Sequence, residues 1–478
     1  MPQGRGLNEL TIAEAARGLR AKAFTVRALW DACAAAARER NGELHAYLEL
    51  FDADDAAIAA AERRIDTEGD AAPLLCGIPL AVKDNILIEG RVASAASKML
   101  EHYRATYDAT VIEKLREQGA LFLGRTNMDE FALGGSTENS AFGVTKNPHD
   151  PSRVAGGTSG GSAAAVAAHL AIAALGTDTG GSVRNPASHC GVVGLKPTYG
   201  AVSRAGVIAA ASSFDQVGPL AKTAEDARIL FDAIRGADPL DSTTAPDGLY
   251  AAPAAPERLR IGVPRALLAH AGLDAGVKAR FEETLERLTA AGHTLVDVEI
   301  PSAAPSLAAY YIINFAEVST NLARYDGIRY GLAARGDTLL ADYVRSRTEG
   351  FGPETRRRIL LGTFVLSAGY IDAYYKKANA ARAALRREFA TAFEEADVIA
   401  TPTMPTTAFR IGEKSDPLAL YLEDAYTVLA NLTGLPAISA PMPAAGGLPA
   451  GIHFTAPHAG EARLFAAAAA VHNLAAAA

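Results

Sequence analysis

An α/β fold is predicted for this 478-residue chain by three observations. Short apolar runs bounded by turn residues alternate with helical stretches, the pattern of a sheet packed by helices. Two such runs, CGIPLAVKDNI and ALFLGRTN, flank a helical stretch from Asp108 to Gln118 that Gly119 caps. With 49% apolar and 21% charged residues, the chain can bury a large core without disulfide or metal staples.

The elements follow in order. Thr11-Ile-Ala-Glu14 has the pattern of a capping box opening a first helix. A second helix starts at Thr25 and runs through Trp30 into the alanines, and a third covers Asp52 to about Ile65, ahead of the acidic turn Asp66 to Asp70. This helical N-terminal region, residues 1–70, carries no catalytic pattern. The α/β core occupies 71–235, and a linker-like loop rich in Pro, Asp and Ala covers 236–260. LRIGVP resumes as a strand, followed by a helix around Arg280 to Ala291 and a strand from Thr294 to Ile300. Residues 305–395 look helical, so 261–400 is a mostly helical region. DVIATPTMP, from Asp397, and LPAISAPMP return as strands, and 401–478, with its strands and a helix, closes a single domain spanning 1–478.

Composition narrows the function classes. A net charge of −8 argues against a nucleic-acid surface on this chain alone. The one dense basic run, Arg356-Arg357-Arg358, reads as a solvated helix face. Three cysteines without a CxxC pair fit a reducing cytoplasm, with the thiols as core residues. MPQGRGLNELT lacks an apolar leader, and the longest apolar stretch, Ala163 to Leu175, is short for a membrane span and contains His169. A soluble cytoplasmic protein with no membrane partner is expected.

The chemistry concentrates in GGTSGGSAAAVAAHLAIAALGTDTGGSVRNP, Gly156 to Pro186, which reads as two glycine- and hydroxyl-rich knots around one small-residue helix. A phosphate loop fails because Ser162 and Ala163 stand where Lys and Ser/Thr are required. Gly157 to Gly161 matches G-x-S-x-G, with Ser159 as nucleophile, but the approach NPHDPSRVA is not the buried strand that a nucleophile elbow needs. An acyl-transfer site uses both knots. Backbone N–H groups of Thr179, Gly180 and Gly181 would face a developing oxyanion beside the Ser182 hydroxyl, while Thr158 and Ser159 relay a proton. No histidine has motif support as the base. Lys83, the lone charge in an apolar strand, is the candidate, because burial lowers a lysine pKa. A snorkelling strand end or a buried ion pair with Asp84 is its bland alternative. Asp178 and Arg184 are expected to hold the nucleophile loop by pairing. His189 and Cys190 are read as structural, and His149, His169 and His453 lack metal-ligand spacing, so no metal site is expected.

GIPLAVKDN, GRTNMDEFALGGSTENSAFG, GGTSGGSAAAVAA, GTDTGGSVRNPA and CGVVGLKPTYG together resemble the amidase signature family, over Gly77 to Pro219. The resemblance implies a large mixed central β-sheet covered by helices on both faces. It also implies a Ser–Ser–Lys triad, carried here by Ser182 as nucleophile, Thr158 in place of the bridging serine and Lys83 as base, with Ser159 as a possible relay. A cis peptide is implied before Thr158.

NLARYDGIRYG and RRRILLGTFVLSAGYIDAYYKKA extend the resemblance to the A-subunit branch of this family, from tRNA-dependent amidotransferases. That branch implies a glutaminase that supplies ammonia for converting mischarged Glu-tRNA(Gln) or Asp-tRNA(Asn). Glutamine would be held by Arg358 at its carboxylate and Asp424 at its amino group, beside Tyr310 or Tyr311. Partner B and C subunits of the amidotransferase are implied. The B subunit would bind the tRNA and use ATP and Mg²⁺, and this chain would hold no cofactor of its own. The alternatives are a stand-alone amidase acting on another small amide, and a non-catalytic scaffold.

Overall fold

Thr11 opens the first helix, Ile12–Arg20, through the reciprocal capping box: its side chain accepts from Glu14 N–H while Glu14 accepts from Thr11 N–H. Thr25 caps Val26–Leu44 and Asp54 caps Asp55–Glu68 by one half of that pattern, each accepting a backbone N–H three residues on. The third helix therefore starts three residues later than expected, at the carboxylate best placed to cap it. The computed structural model describes residues 5–250, 255–269, 272–443 and 447–476.

The strands are β1 (Tyr47–Leu50), β2 (Pro79–Lys83), β3 (Leu121–Thr126), β4 (Lys146–Asn147), β5 (Asp150–Val154), β6 (Ala173–Asp178) and β7 (Val193–Lys196). They continue with β8 (Gln216–Ala221), β9 (Arg260–Val263), β10 (Thr294–Asp297), β11 (Val398–Pro402), β12 (Ala437–Pro441) and β13 (Gly451–Thr455). Among the described residues, 11 of them form one mixed sheet in the order β1-β3-β2-β6-β8-β7-β12-β13-β11-β9-β10, and β4 and β5 pair apart from it. Along β11, Val398 and Ala400 join one apolar cluster with helices Ile12–Arg20, Ala224–Ile234 and Glu461–Ala476. The intervening Ile399 joins a second cluster with helices Ser306–Asn321, Lys377–Glu395 and Val428–Thr433. Alternate side chains of a strand point to opposite faces, so helices cover both faces of the sheet.

The sheet sets the position of the site. β2 and β6 are parallel neighbours with Leu80 opposite Ala173 and Val82 opposite Leu175, so their C-terminal ends lie side by side. Lys83 ends one strand and Asp178 ends the other. Open α/β sheets place ligands at this edge.

Two expectations change. The stretch between the glycine knots is not one helix. Gly160–Ala167 is helical, His169 turns the chain at φ +59°, and AALGTD becomes the interior strand β6. A run buried on both sides shows no period, so a helix and a strand look alike there. The linker-like stretch is also anchored at its start. Asp238 accepts from Thr110 Oγ1 at 2.6 Å, and Asp241 forms a two-point ion pair with Arg204. Among the described residues no helix is long and apolar enough to cross a membrane.

Candidate active site

Lys83 is fully buried at the end of β2, and its ammonium nitrogen lies 2.7 Å from Thr158 Oγ1, 2.8 Å from Ser159 Oγ and 3.2 Å from the Thr177 carbonyl oxygen. No carboxylate pairs with it among the described residues. Asp84, the next residue, projects from the other side of the strand and pairs with Arg125 at 2.9 Å. Burial pushes Lys83 down to about 7, against the opposing pull of Asp129, Asp178 and Asp215. A lysine near neutrality in contact with two hydroxyls is equipped to accept a proton.

The first glycine knot delivers those hydroxyls. Gly157 and Thr158 are joined by a cis peptide bond, and the Thr158 hydroxyl meets Lys83. A Cβ on Gly157 would collide with Asp129 and with the backbone at Gly135 and Ser136, so only glycine fits. Asp129 braces this turn from beneath. Its N–H donates to the Thr158 carbonyl at 3.3 Å, and its carboxylate accepts from Thr137 N–H at 2.9 Å and Asn139 N–H at 3.1 Å.

The second knot delivers Ser182. Its carbonyl accepts from Ser159 N–H at 3.0 Å, which ties the two knots together. Thr158 and Ser159 are 0% exposed whereas Ser182 retains 7%, so of the three hydroxyls it is the one with access to a substrate. Among the described residues the N–H groups of Thr179, Gly180 and Ser182 have no acceptor, but Gly181 N–H donates to Asp178 Oδ1 at 3.0 Å. Thr179, Gly180 and Ser182 are thus the donors free to meet an oxyanion, whereas Gly181 supports the loop.

That loop is held by a buried ion pair. Asp178 takes two hydrogen bonds from Arg184, at 2.9 and 3.0 Å, and also accepts from Val183 N–H and Asn431. Burial alone would raise the Asp178 carboxyl, but the Arg184 guanidinium holds it well below the usual carboxylate range. Arg184 also reaches the Thr427 carbonyl at 2.9 Å and His453 Nε2 at 2.8 Å. Cys190 and His189 are fully buried; burial pushes the thiol up and the imidazole down to about 4, which leaves both neutral.

The substrate-binding candidates come from distant segments. Arg358 is not part of a solvated face: Arg356 and Arg357 are exposed, but Arg358 turns inward to 3% exposure, with its guanidinium 5.3–5.8 Å from the ring centres of Tyr311, Phe315 and Tyr421. Asp424 is buried too, accepts from Tyr311 Oη at 2.7 Å, and is pushed up to about 7 by burial. Tyr310 lies against Gly180 so closely that a Cβ there would strike its hydroxyl. The two tyrosines therefore serve different contacts, Tyr310 at the nucleophile loop and Tyr311 at Asp424. Thr427 Oγ1 closes the assembly by donating to the Gly180 carbonyl at 2.6 Å. Sequence reasoning missed Asp129, Thr427, Glu354 and Tyr421. Only Glu354, at i−4 from Arg358, left a local signal.

Comparisons with known proteins show the family. The Amidase family profile matches residues 28–465. The A subunit of glutamyl-tRNA(Gln) amidotransferase from Acidobacterium capsulatum is 49% identical over 468 residues, covering 96% of this chain and 98% of the relative. The polypeptide of the same name from Caldanaerobacter subterraneus is 53% identical over 396 residues, covering 82% of this chain and 81% of its own. Among solved structures, the A subunit of glutamyl-tRNA(Gln) amidotransferase from Thermotoga maritima superposes with a TM-score of 0.78 at 38% identity, covering 97% of this chain and 94% of that one. The native peptide amidase of Stenotrophomonas maltophilia reaches a TM-score of 0.81 at 29% identity, covering 97% and 96%. By sequence and by fold over most of its length, the chain belongs to the amidase family.

Proposed function

We propose that this chain is the glutamine-hydrolysing A subunit of a tRNA-dependent amidotransferase. One observation carries the substrate choice: a buried cation, Arg358, and a buried acid, Asp424, are linked through Tyr311 to the segment that packs on Gly180. A guanidinium suits an α-carboxylate and a carboxylate suits an α-ammonium, so an amino-acid amide uses both anchors and a simple amide uses neither.

In the mechanism, neutral Lys83 takes a proton through Thr158 from Ser182, whose oxygen attacks the side-chain amide carbon of glutamine. The N–H groups of Thr179, Gly180 and Ser182 stabilise the tetrahedral oxyanion. The proton returns along the relay to the nitrogen as the C–N bond breaks, releasing ammonia. Water then hydrolyses the glutamyl ester with Lys83 again as base. Ammonia passes to a partner B subunit, which binds mischarged tRNA and activates it with ATP and Mg²⁺, while a small C subunit braces the pair in the cytoplasm. This chain needs no cofactor of its own. High identity to amidotransferase A subunits over nearly the full chain supports this reading over a stand-alone amidase.

The assembled enzyme is expected to release ammonia from glutamine, and Arg358→Ala should raise the glutamine KM by about 100-fold. Equal kcat/KM for glutamine and butyramide would point instead to an amidase of simple amides. Because Asp424 must be ionised to hold an ammonium, KM should climb about tenfold per pH unit as pH falls below about 7, with kcat governed separately by Lys83. A KM flat between pH 5.5 and 8 would remove Asp424 from that role. Thr158→Ser should keep kcat within about threefold, whereas Thr158→Ala should lower it by about 10²–10³-fold through loss of the relay hydroxyl. Equal activity of the two variants would assign the relay to Ser159.

A further inference from the structure

The arginine run in helix Pro353–Leu366 holds more than one functional charge. Glu354, 8% exposed, divides its carboxylate between two guanidiniums. Oε1 accepts from Arg358 Nε at 2.7 Å and from Tyr421 Oη at 2.6 Å, while Oε2 pairs with Arg357 Nη1. The Tyr421 ring stacks on Tyr311 at 4.2 Å, and Tyr311 donates to Asp424, so both anchors rest on one connected frame. Arg358 Nη1 reaches only Asn314 Oδ1, at 3.3 Å, and Nη2 has no acceptor among the described residues.

One carboxylate therefore faces two guanidiniums, and one positive charge remains over. Its location matters. Glu354 lines a surface cleft of about 450 Å³, and the side chain of Arg357, its partner, is 43% exposed. Served by Arg358 alone, Glu354 would cancel the buried charge, and a second carboxylate entering the pocket would meet it uncompensated. Of the other acids nearby, Asp424 accepts from Tyr311 and is left for the substrate ammonium, and two more are already engaged. Glu130 accepts from Ser97, Thr355 and Gly352 N–H, and Glu423 pairs with Lys414.

We propose that Arg357 is a specificity determinant for the substrate carboxylate: by neutralising Glu354 from the solvent side, it leaves the charge of Arg358 free for an anionic head group. Arg357 touches no substrate and acts as a positioning residue through Glu354. The inference rests on the reading of Arg358 as the carboxylate anchor.

The test is a double-mutant cycle in the assembled enzyme, with KM and kcat for glutamine and for butyramide, which has no carboxylate. Arg357→Gln should raise the glutamine KM about five- to tenfold, with kcat within about twofold and butyramide kinetics unchanged. Arg357→Lys should restore most of the affinity. In a Glu354→Gln background the Arg357→Gln substitution should have no effect on KM, because no charge remains to neutralise. An unchanged KM in Arg357→Gln, or an equal rise in both backgrounds, overturns the proposal. Separately, an unchanged glutamine KM in Arg358→Ala would overturn the anchor reading beneath it.

Discussion

Ser182→Ala is expected to reduce glutamine hydrolysis by about 10⁵-fold while leaving glutamine affinity within about threefold. The size follows from the role of the hydroxyl. In the proposed mechanism it forms the bond to the amide carbon, and the other two hydroxyls of the site, Thr158 and Ser159, are fully buried against Lys83. Neither can replace it without reorganising the loop that Asp178 and Arg184 hold. Removing one oxygen from a side chain that makes no side-chain hydrogen bond among the described residues should leave thermal stability nearly unchanged. Calorimetric binding of glutamine to the variant checks that the pocket persists. Activity within tenfold of wild type would place the nucleophile elsewhere.

Lys83→Met is expected to lower kcat by about 10³–10⁴-fold and to erase the acidic limb of its pH profile. Only the neutral amine can accept a proton, and burial brings Lys83 down to about 7. In the wild type, kcat should rise with pH up to about 7 and level off above it, because protonated Lys83 predominates below that point. In the variant the residual rate should be flat from pH 6 to 8. Methionine keeps the length of the apolar stem but loses the bonds to Thr158, Ser159 and the Thr177 carbonyl. A melting curve should accompany the kinetics. A limb that persists in Lys83→Met would belong to another group.

The candidate site was legible where the chain advertises a conflict. A charged residue in an apolar strand and glycines flanking hydroxyls are locally costly choices, and such departures mark sites. Lys83 and Ser182 stood out in that way as candidates, whereas the choice of Thr158 over Ser159 came only with the family resemblance. The strand β6 was not, because AALGTD is buried on both faces and carries neither the period of a helix nor that of an exposed strand. Strands β1 and β8 escaped for a related reason: one is 4 residues long, and the other contains Gly218 and Pro219. The pairing of Tyr311 with Asp424 spans 113 residues and that of Thr427 with Gly180 spans 247, separations at which sequence pattern carries no contact information. The arginine run shows the limit on a smaller scale. A helical period predicts that one arginine differs from its neighbours, but only the packed aromatics decide that Arg358 is the buried one.

The most direct measurement is the conversion of mischarged Glu-tRNA(Gln) to Gln-tRNA(Gln) by the assembled subunits with ATP and Mg²⁺, supplied with either glutamine or ammonium. Wild type should convert the tRNA with either nitrogen donor, and Ser182→Ala only with ammonium. Glutamine-dependent conversion that survives Ser182→Ala, or wild type that works with ammonium but not with glutamine, would contradict the assignment of this chain as the source of ammonia.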